Sequence, residues 1–191
     1  HILAAAFLTV LPILYTGGIH MDGFLDTMDA LGSNQDKQKK LAILKDSNSG
    51  AFAITGGLVY ILLYFAAMLS LNNITKIYIL AISYILIRAY SALSLIVFKN
   101  ARGSGLAFAF SDNSLIYTNR VVLLIFIVIS SVAMIIVNVN YGLLCVIATY
   151  LVFLYYRVKS FEEFGGITGD LAGYFLQLAE LVVVLVLALA P

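Results

Sequence analysis

The sequence predicts an all-α polytopic membrane bundle of about six transmembrane helices, forming a single integral membrane domain over residues 1–191. Three observations carry this. The chain is 62% apolar and only 11% charged, where a soluble domain carries about 25% charged residues. Its mean hydropathy is +1.02. Its apolar residues come in continuous runs, not in the strict alternation of barrel strands.

A membrane helix needs about 20 mostly apolar residues, within a range of about 17–25. Runs at 2–19, 51–71, 74–98, 121–137, 141–156 and 174–190 supply the expected spans. The first starts at His1, already inside an apolar stretch and without a basic segment before it, so it does not read as a signal peptide. An upstream segment is expected. The fourth and fifth runs are short and are expected either to tilt little or to pair as a tight hairpin across Asn138-Val139-Asn140. Aromatic residues make up 13%, all Tyr and Phe, which suits membrane interfaces, although Trp is absent. Cys145 is the one cysteine, which excludes an intrachain disulfide and a cysteine zinc site. It reads as a small buried apolar residue. A net charge of +1 gives no reason to expect a nucleic-acid partner.

The polar segments between the runs sort by charge. Segments 20–50, 99–120 and 157–173 hold nine of the eleven basic residues, and the positive-inside rule places all three in the cytoplasm. The same segments hold nine of the ten acidic residues. Neither fact requires the other, and one polar, cytoplasm-facing site built from three loops accounts for both.

The first segment is the richest. Asp22, Asp26 and Asp29 stand at i, i+4 and i+7 and on a helix project within about 60° of one another. Carboxylates converging without a cation repel, and oxygen ligands favour Mg²⁺ or Mn²⁺ over zinc. A solvated acidic face is the plainer alternative, but Phe24, Leu25 and Met28 interleave it. His20 is a candidate ligand or base, or an interfacial residue. After a stop at residues 30–34 comes a short amphipathic stretch, 35–44, bearing Lys37, Lys39 and Lys40. Lys45-Asp46-Ser47 then precedes the next span. Backbone N–H groups at that helix start suit a phosphate, or Ser47 or Ser49 simply caps it.

In the second segment Arg102 lies beside Gly103 and Gly105, a cationic loop suited to phosphate or a basic membrane flank. Arg88 falls inside the third run, where it needs a partner. In the third segment four glycines surround Thr168 and Asp170, so backbone can approach a ligand closely. Glu180 follows inside the last run, and an intramembrane glutamate is a functional candidate.

Together these motifs resemble the cobalamin synthase family of adenosylcobinamide-GDP ribazoletransferases. The resemblance lies in Thr16-Gly17-Gly18-Ile19-His20-Met21-Asp22-Gly23-Phe24-Leu25-Asp26-Thr27-Met28-Asp29, then Leu44-Lys45-Asp46-Ser47-Asn48-Ser49-Gly50, then Arg102-Gly103-Ser104-Gly105-Leu106, and last Gly165-Gly166-Ile167-Thr168-Gly169-Asp170. Ala30 departs from a usual glycine, and Gln177 from a common acidic residue. Family members also usually carry a further N-terminal segment.

The resemblance implies that a hydroxyl of α-ribazole, or of its 5′-phosphate, attacks the phosphate joined to cobinamide in adenosylcobinamide-GDP, releasing GMP and closing the nucleotide loop of cobalamin (vitamin B12). On that reading Asp22, Asp26 and Asp29 hold Mg²⁺ or Mn²⁺. One carboxylate of that set, or Asp46, is the base, with Lys45 and His20 also catalytic. Arg102, Ser47, Thr168, Gly169, Asp170 and Glu180 bind substrate. The location is a prokaryotic inner membrane with the site facing the cytoplasm, as a monomer or a homo-oligomer in the bilayer. Two other readings compete. A CDP-alcohol phosphotransferase lacks support because its Asp-Gly-x-x-Ala-Arg pattern is absent after Asp22-Gly23. A cation transporter calls for midplane acids and inverted repeats, whereas these aspartates lie at a membrane edge.

Overall fold

The computed structural model describes residues 1–102 and 116–191. Eight helices run in order among them: α1 Ile2–Tyr15, α2 Ile19–Gly32, α3 Lys37–Ile43, α4 Ala51–Ser70, α5 Ile74–Val97, α6 Ile116–Val137, α7 Val139–Phe164 and α8 Gly169–Leu189. Helices α4 to α8 are each long and apolar enough to cross a membrane, while α1 and α2 pass that test only as a pair bent by 90°.

Local chemistry sets the boundaries. Asn73, Asn138 and Thr168 each cap a helix by accepting a backbone N–H, from Thr75, Tyr141 and Leu171, and Asp36 does the same for α3. The expected hairpin between the fourth and fifth runs turns on Asn138 alone. The first run is shorter than expected. It ends at Tyr15 because Gly17 and Gly18 take φ of +64° and +82°, which side chains other than glycine's rarely adopt. Helix α7 is longer than its apolar run and carries Arg157, Lys159, Glu162 and Glu163 beyond it. Helix α8 starts five residues before its run, at Gly169.

Helix α8 is the axis of the bundle: α2, α4, α5 and α7 all pack on it, and it buries residues on every side. Helix α6 lies outside, against α5 and α7, and α1 lies against α4. The outer surface is apolar, with Leu62, Val128, Ile136 and Leu151 exposed. Such a surface suits lipid, not water.

The two ends of the bundle differ. One gathers the end of α5, the end of α7, the starts of α4 and α8, and all of α2 and α3. The other holds Lys76, which donates to the Ala190 carbonyl at 2.8 Å and so neutralises the C-terminal end of α8. The first end carries Lys37, Lys39, Lys40, Lys45, Lys99, Arg102, Arg157 and Lys159. Cysteines placed at Ser33 and Asn138 should therefore react with a membrane-impermeant maleimide from opposite sides, Cys145 being buried and silent. Labelling of both from one side would contradict this arrangement.

Candidate functional site

The double-glycine turn lays α2 across the mouth of the bundle, over the start of α8. The two backbones touch. A Cβ at Gly23 would sit 2.7 Å from the Asp170 carbonyl oxygen, and one at Gly173 would sit 3.0 Å from that of His20. This contact brings the first and third motifs together. Asp26 is half-buried, and the charges acting on it are those of Asp22, Asp170 and Asp29, against one cation, Arg102. Asp22 is exposed.

Asp170 stands in the first turn of α8. The Thr168 hydroxyl accepts the Leu171 N–H at 3.2 Å and donates to Asp170 Oδ2 at 3.3 Å. The same carboxylate oxygen meets Arg102 Nη1 at 3.2 Å. Arg102 Nη2 donates to the Leu41 carbonyl at 3.2 Å, and its backbone N–H donates to Asn100 Oδ1. A parallel bridge straps the second motif to the third: Ala101 N–H donates to Ile167 and Ile167 N–H to Lys99, both at 2.9 Å. Gly166 lies flat on the Lys99 carbonyl with no room for a side chain. Residues 103–115, including Gly103, Ser104, Gly105 and Leu106 of the second motif, lie outside the described residues.

Asp29 reaches a further neighbour. Its carboxylate accepts the Gly50 N–H and, at 2.8 Å, the Ala53 N–H, so it caps α4 from a neighbouring helix. This corrects the expected serine cap. Neither Ser47 nor Ser49 caps α4, and two of the N–H groups expected to meet a phosphate there, those of Gly50 and Ala53, are held by Asp29. Gly50 is the helix N-cap and has no side chain to offer. Lys45 and Ser47 are exposed beside it. Asp46 is exposed too, and the backbone and side-chain N–H groups of Asn48, at 3.0 and 2.8 Å, hold its carboxyl below the usual range. It stays ionised and is a weak base.

Glu180 is not brought to this mouth. It lies ten residues along α8 from Asp170, about 15 Å on a helix. There it is 1% exposed and pairs with Arg88 at 2.9 Å, so the two intramembrane charges answer each other. Glu180 Oε2 and His20 Nδ1 are buried without a hydrogen-bond partner. The hydroxyls of Tyr64 and Tyr84 bond to each other nearby.

Sequence reasoning missed three contributors. The Leu41 carbonyl carries no side-chain signal. The Lys40–Glu163 pair joins charges 123 residues apart, which no local pattern reveals. Phe24 stacks with Tyr174 at 5.6 Å and leans on Tyr60 at 5.3 Å, wedging α2 against α4 and α8. Its apolar place among the aspartates was the available hint.

Among the described residues no three acidic or histidine side chains are arranged as a ready metal cage. The donor chemistry still fits a hard divalent cation. Mg²⁺ is held by one or two carboxylates together with substrate phosphates and water. Asp22, Asp26 and Asp170 concentrate negative charge with one arginine to offset it.

The family model for cobalamin-5-phosphate synthase matches residues 1–188. A protein of Lachnoclostridium phytofermentans named adenosylcobinamide-GDP ribazoletransferase is 42% identical over 189 residues, covering 99% of this chain and 72% of that protein. Proteins of the same name from Clostridium perfringens and Pseudomonas fluorescens are each 34% identical, over 188 and 190 residues, covering 98% of this chain and 74% and 76% of their own length. No solved structure matches. The matched span takes in every motif that meets at the mouth, from the double-glycine turn to the start of α8, and the chain belongs to the cobalamin-5-phosphate synthase family.

Proposed function

We propose that this chain joins α-ribazole, or its 5′-phosphate, to adenosylcobinamide-GDP and releases GMP, among the last steps of cobalamin biosynthesis. Family membership supplies the substrates. The observation that carries the reading is the meeting of three sequence-distant motifs at one polar mouth, in the Asp26–Asp170–Arg102 cluster. Displacement at a diphosphate needs neutralised oxygens and an oriented nucleophile, and little else from the protein.

The ribazole hydroxyl attacks the phosphorus that bears cobinamide. A new O–P bond forms as the P–O bond to GMP breaks, and the hydroxyl proton passes to a base. Asp26 is the carboxylate suited to take it, being half-buried among like charges, whereas Asn48 makes Asp46 a weak base. Arg102, fixed by Asp170, and Lys45, exposed at the rim, neutralise phosphate oxygens. Asp22 and Asp170 would hold Mg²⁺ or Mn²⁺, which supplies further charge neutralisation at the diphosphate. The glycine-rich start of α8, Thr168-Gly169, lets substrate approach the backbone. The basic end faces the cytoplasm of a prokaryotic cell, in line with its eight Lys and Arg residues.

Detergent-purified protein given adenosylcobinamide-GDP and α-ribazole should release GMP, and chelation of divalent metal should stop it. Absence of GMP release with metal present would overturn the reading. Asp26→Asn should slow transfer by at least about 10²-fold, with added Mg²⁺ giving no rescue. Asp22→Asn should instead raise the Mg²⁺ requirement by about tenfold or more. A rate for Asp26→Asn within about threefold of the parent would remove Asp26 from the site.

Asp29→Asn should behave differently, because its carboxylate caps α4. We expect a loss of about 1 kcal/mol of stability, read as a lower thermal midpoint, with the Mg²⁺ requirement unchanged. A Mg²⁺ requirement raised as in Asp22→Asn would return Asp29 to the metal set.

A further inference from the structure

We propose that the Lys40–Glu163 ion pair is a positioning device for the transfer: through α3 it holds the Leu41 carbonyl against Arg102 and so aims the guanidinium beside Asp170. The proposal rests on the reading of Arg102 as a phosphate-neutralising group.

Helix α3 has seven residues, too few to hold a conformation or an orientation unaided. It must be placed by contact. Its packing partners are α2, to which a short link joins it, and the far end of α7. The contact with α7 is polar and specific. Lys40 is 6% exposed, although it sits on a helix at the membrane edge. A lysine is buried at such cost that it needs a partner, and Glu163 Oε2 lies 2.5 Å from its Nζ. Lys159 approaches the other Glu163 oxygen at 3.5 Å and steadies it. Lys37 Nζ adds a longer bond, 3.4 Å, to the Phe161 carbonyl in the last turn of α7. This explains why α7 continues past its apolar run: the extra turns carry Glu163 to α3.

The other side of α3 faces the site. At its C-terminal end the Leu44 N–H bonds to the Lys40 carbonyl and the Lys45 N–H to the Ala42 carbonyl. The Leu41 carbonyl between them receives Arg102 Nη2. A helix C-terminus carries partial negative charge and favours a cation there. Arg102 is thus held from two directions, by the Asp170 carboxylate and by the end of α3. Only the first of these is an acidic residue that a phosphate must compete with. Freed from Glu163, Lys40 would have to reach water, α3 would turn with it, and the Leu41 carbonyl would leave Arg102. Misplacement of a catalytic group by about 1 Å costs up to about 10²-fold in rate.

The test uses Glu163→Gln, Arg102→Lys and their combination in the full chain. Two readouts are taken, GMP release and residue-resolved modification by phenylglyoxal. Glu163→Gln should lower kcat by about tenfold or more in a protein that still folds, with a lower thermal midpoint read separately. The exchanged pair Lys40→Glu with Glu163→Lys should restore most of it. In the Arg102→Lys background, Glu163→Gln should cost less than about threefold more, because both changes act on one group. Phenylglyoxal should modify Arg102 several-fold faster in Glu163→Gln, with exposed Arg120 unchanged as the internal control. Equal loss in both backgrounds, or an unchanged Arg102 modification rate, would overturn the proposal. Failure of the unsubstituted chain to release GMP would count against the functional reading instead, and the modification arm would still decide the geometry.

Discussion

The backbone contact between α2 and α8 is the constraint on which the mouth of the bundle depends. Two glycines, Gly23 and Gly173, let the helices approach until carbonyl oxygens occupy the space a Cβ would need. Two more, Gly17 and Gly18, turn the chain by 90° so that α2 can reach that position. Without the turn, α2 would continue α1 through the membrane and carry three aspartates into hydrocarbon. With it, the aspartates lie at the polar edge, against the start of α8. The positive end of that helix faces them and favours negative charge.

Charge then divides into two groups with different roles. Inside the bundle, Arg88 and the buried Glu180 answer each other, and the pair joins α5 to α8. Removing Arg88 would leave Glu180, 1% exposed, buried and unpaired. At the mouth the account does not close. Asp22, Asp26 and Asp170 are offset by Arg102, and the excess of negative charge is what a divalent cation would rebalance. An unbalanced surface group is cheap in water, and the same imbalance within a bundle would be severe. The candidate cluster therefore sits at the polar end of the bundle.

Much of this was legible in the sequence. Continuous apolar runs gave the spans, whereas the caps Asn73, Asn138 and Thr168, each a local hydrogen bond, were found only in the structure. The distribution of lysine and arginine grouped the three polar segments, and their meeting through Arg102 and Asp170 follows it. What else stayed hidden depends on partners far apart in the chain. Asp22, Asp26 and Asp29 share a helical face by arithmetic, but that face meets two different neighbours. Asp29 meets the start of α4 and caps it, while Asp26 meets α8. Glu180 read as a site residue because it is a lone intramembrane acid, and Arg88 read as a lone intramembrane base. Their spacing in sequence, 92 residues, gave no sign that each was the other's partner.

The most direct test of this account is the Gly23→Ala variant, since one methyl group there has to displace the Asp170 backbone. Helix α2 must lift, carrying Asp22 and Asp26 away from Asp170 and Arg102. The account predicts that GMP release from adenosylcobinamide-GDP and α-ribazole falls by about 10²-fold in a protein that still folds and inserts. Release at the parent rate would contradict it, and the α2–α8 contact would no longer explain how the site is built.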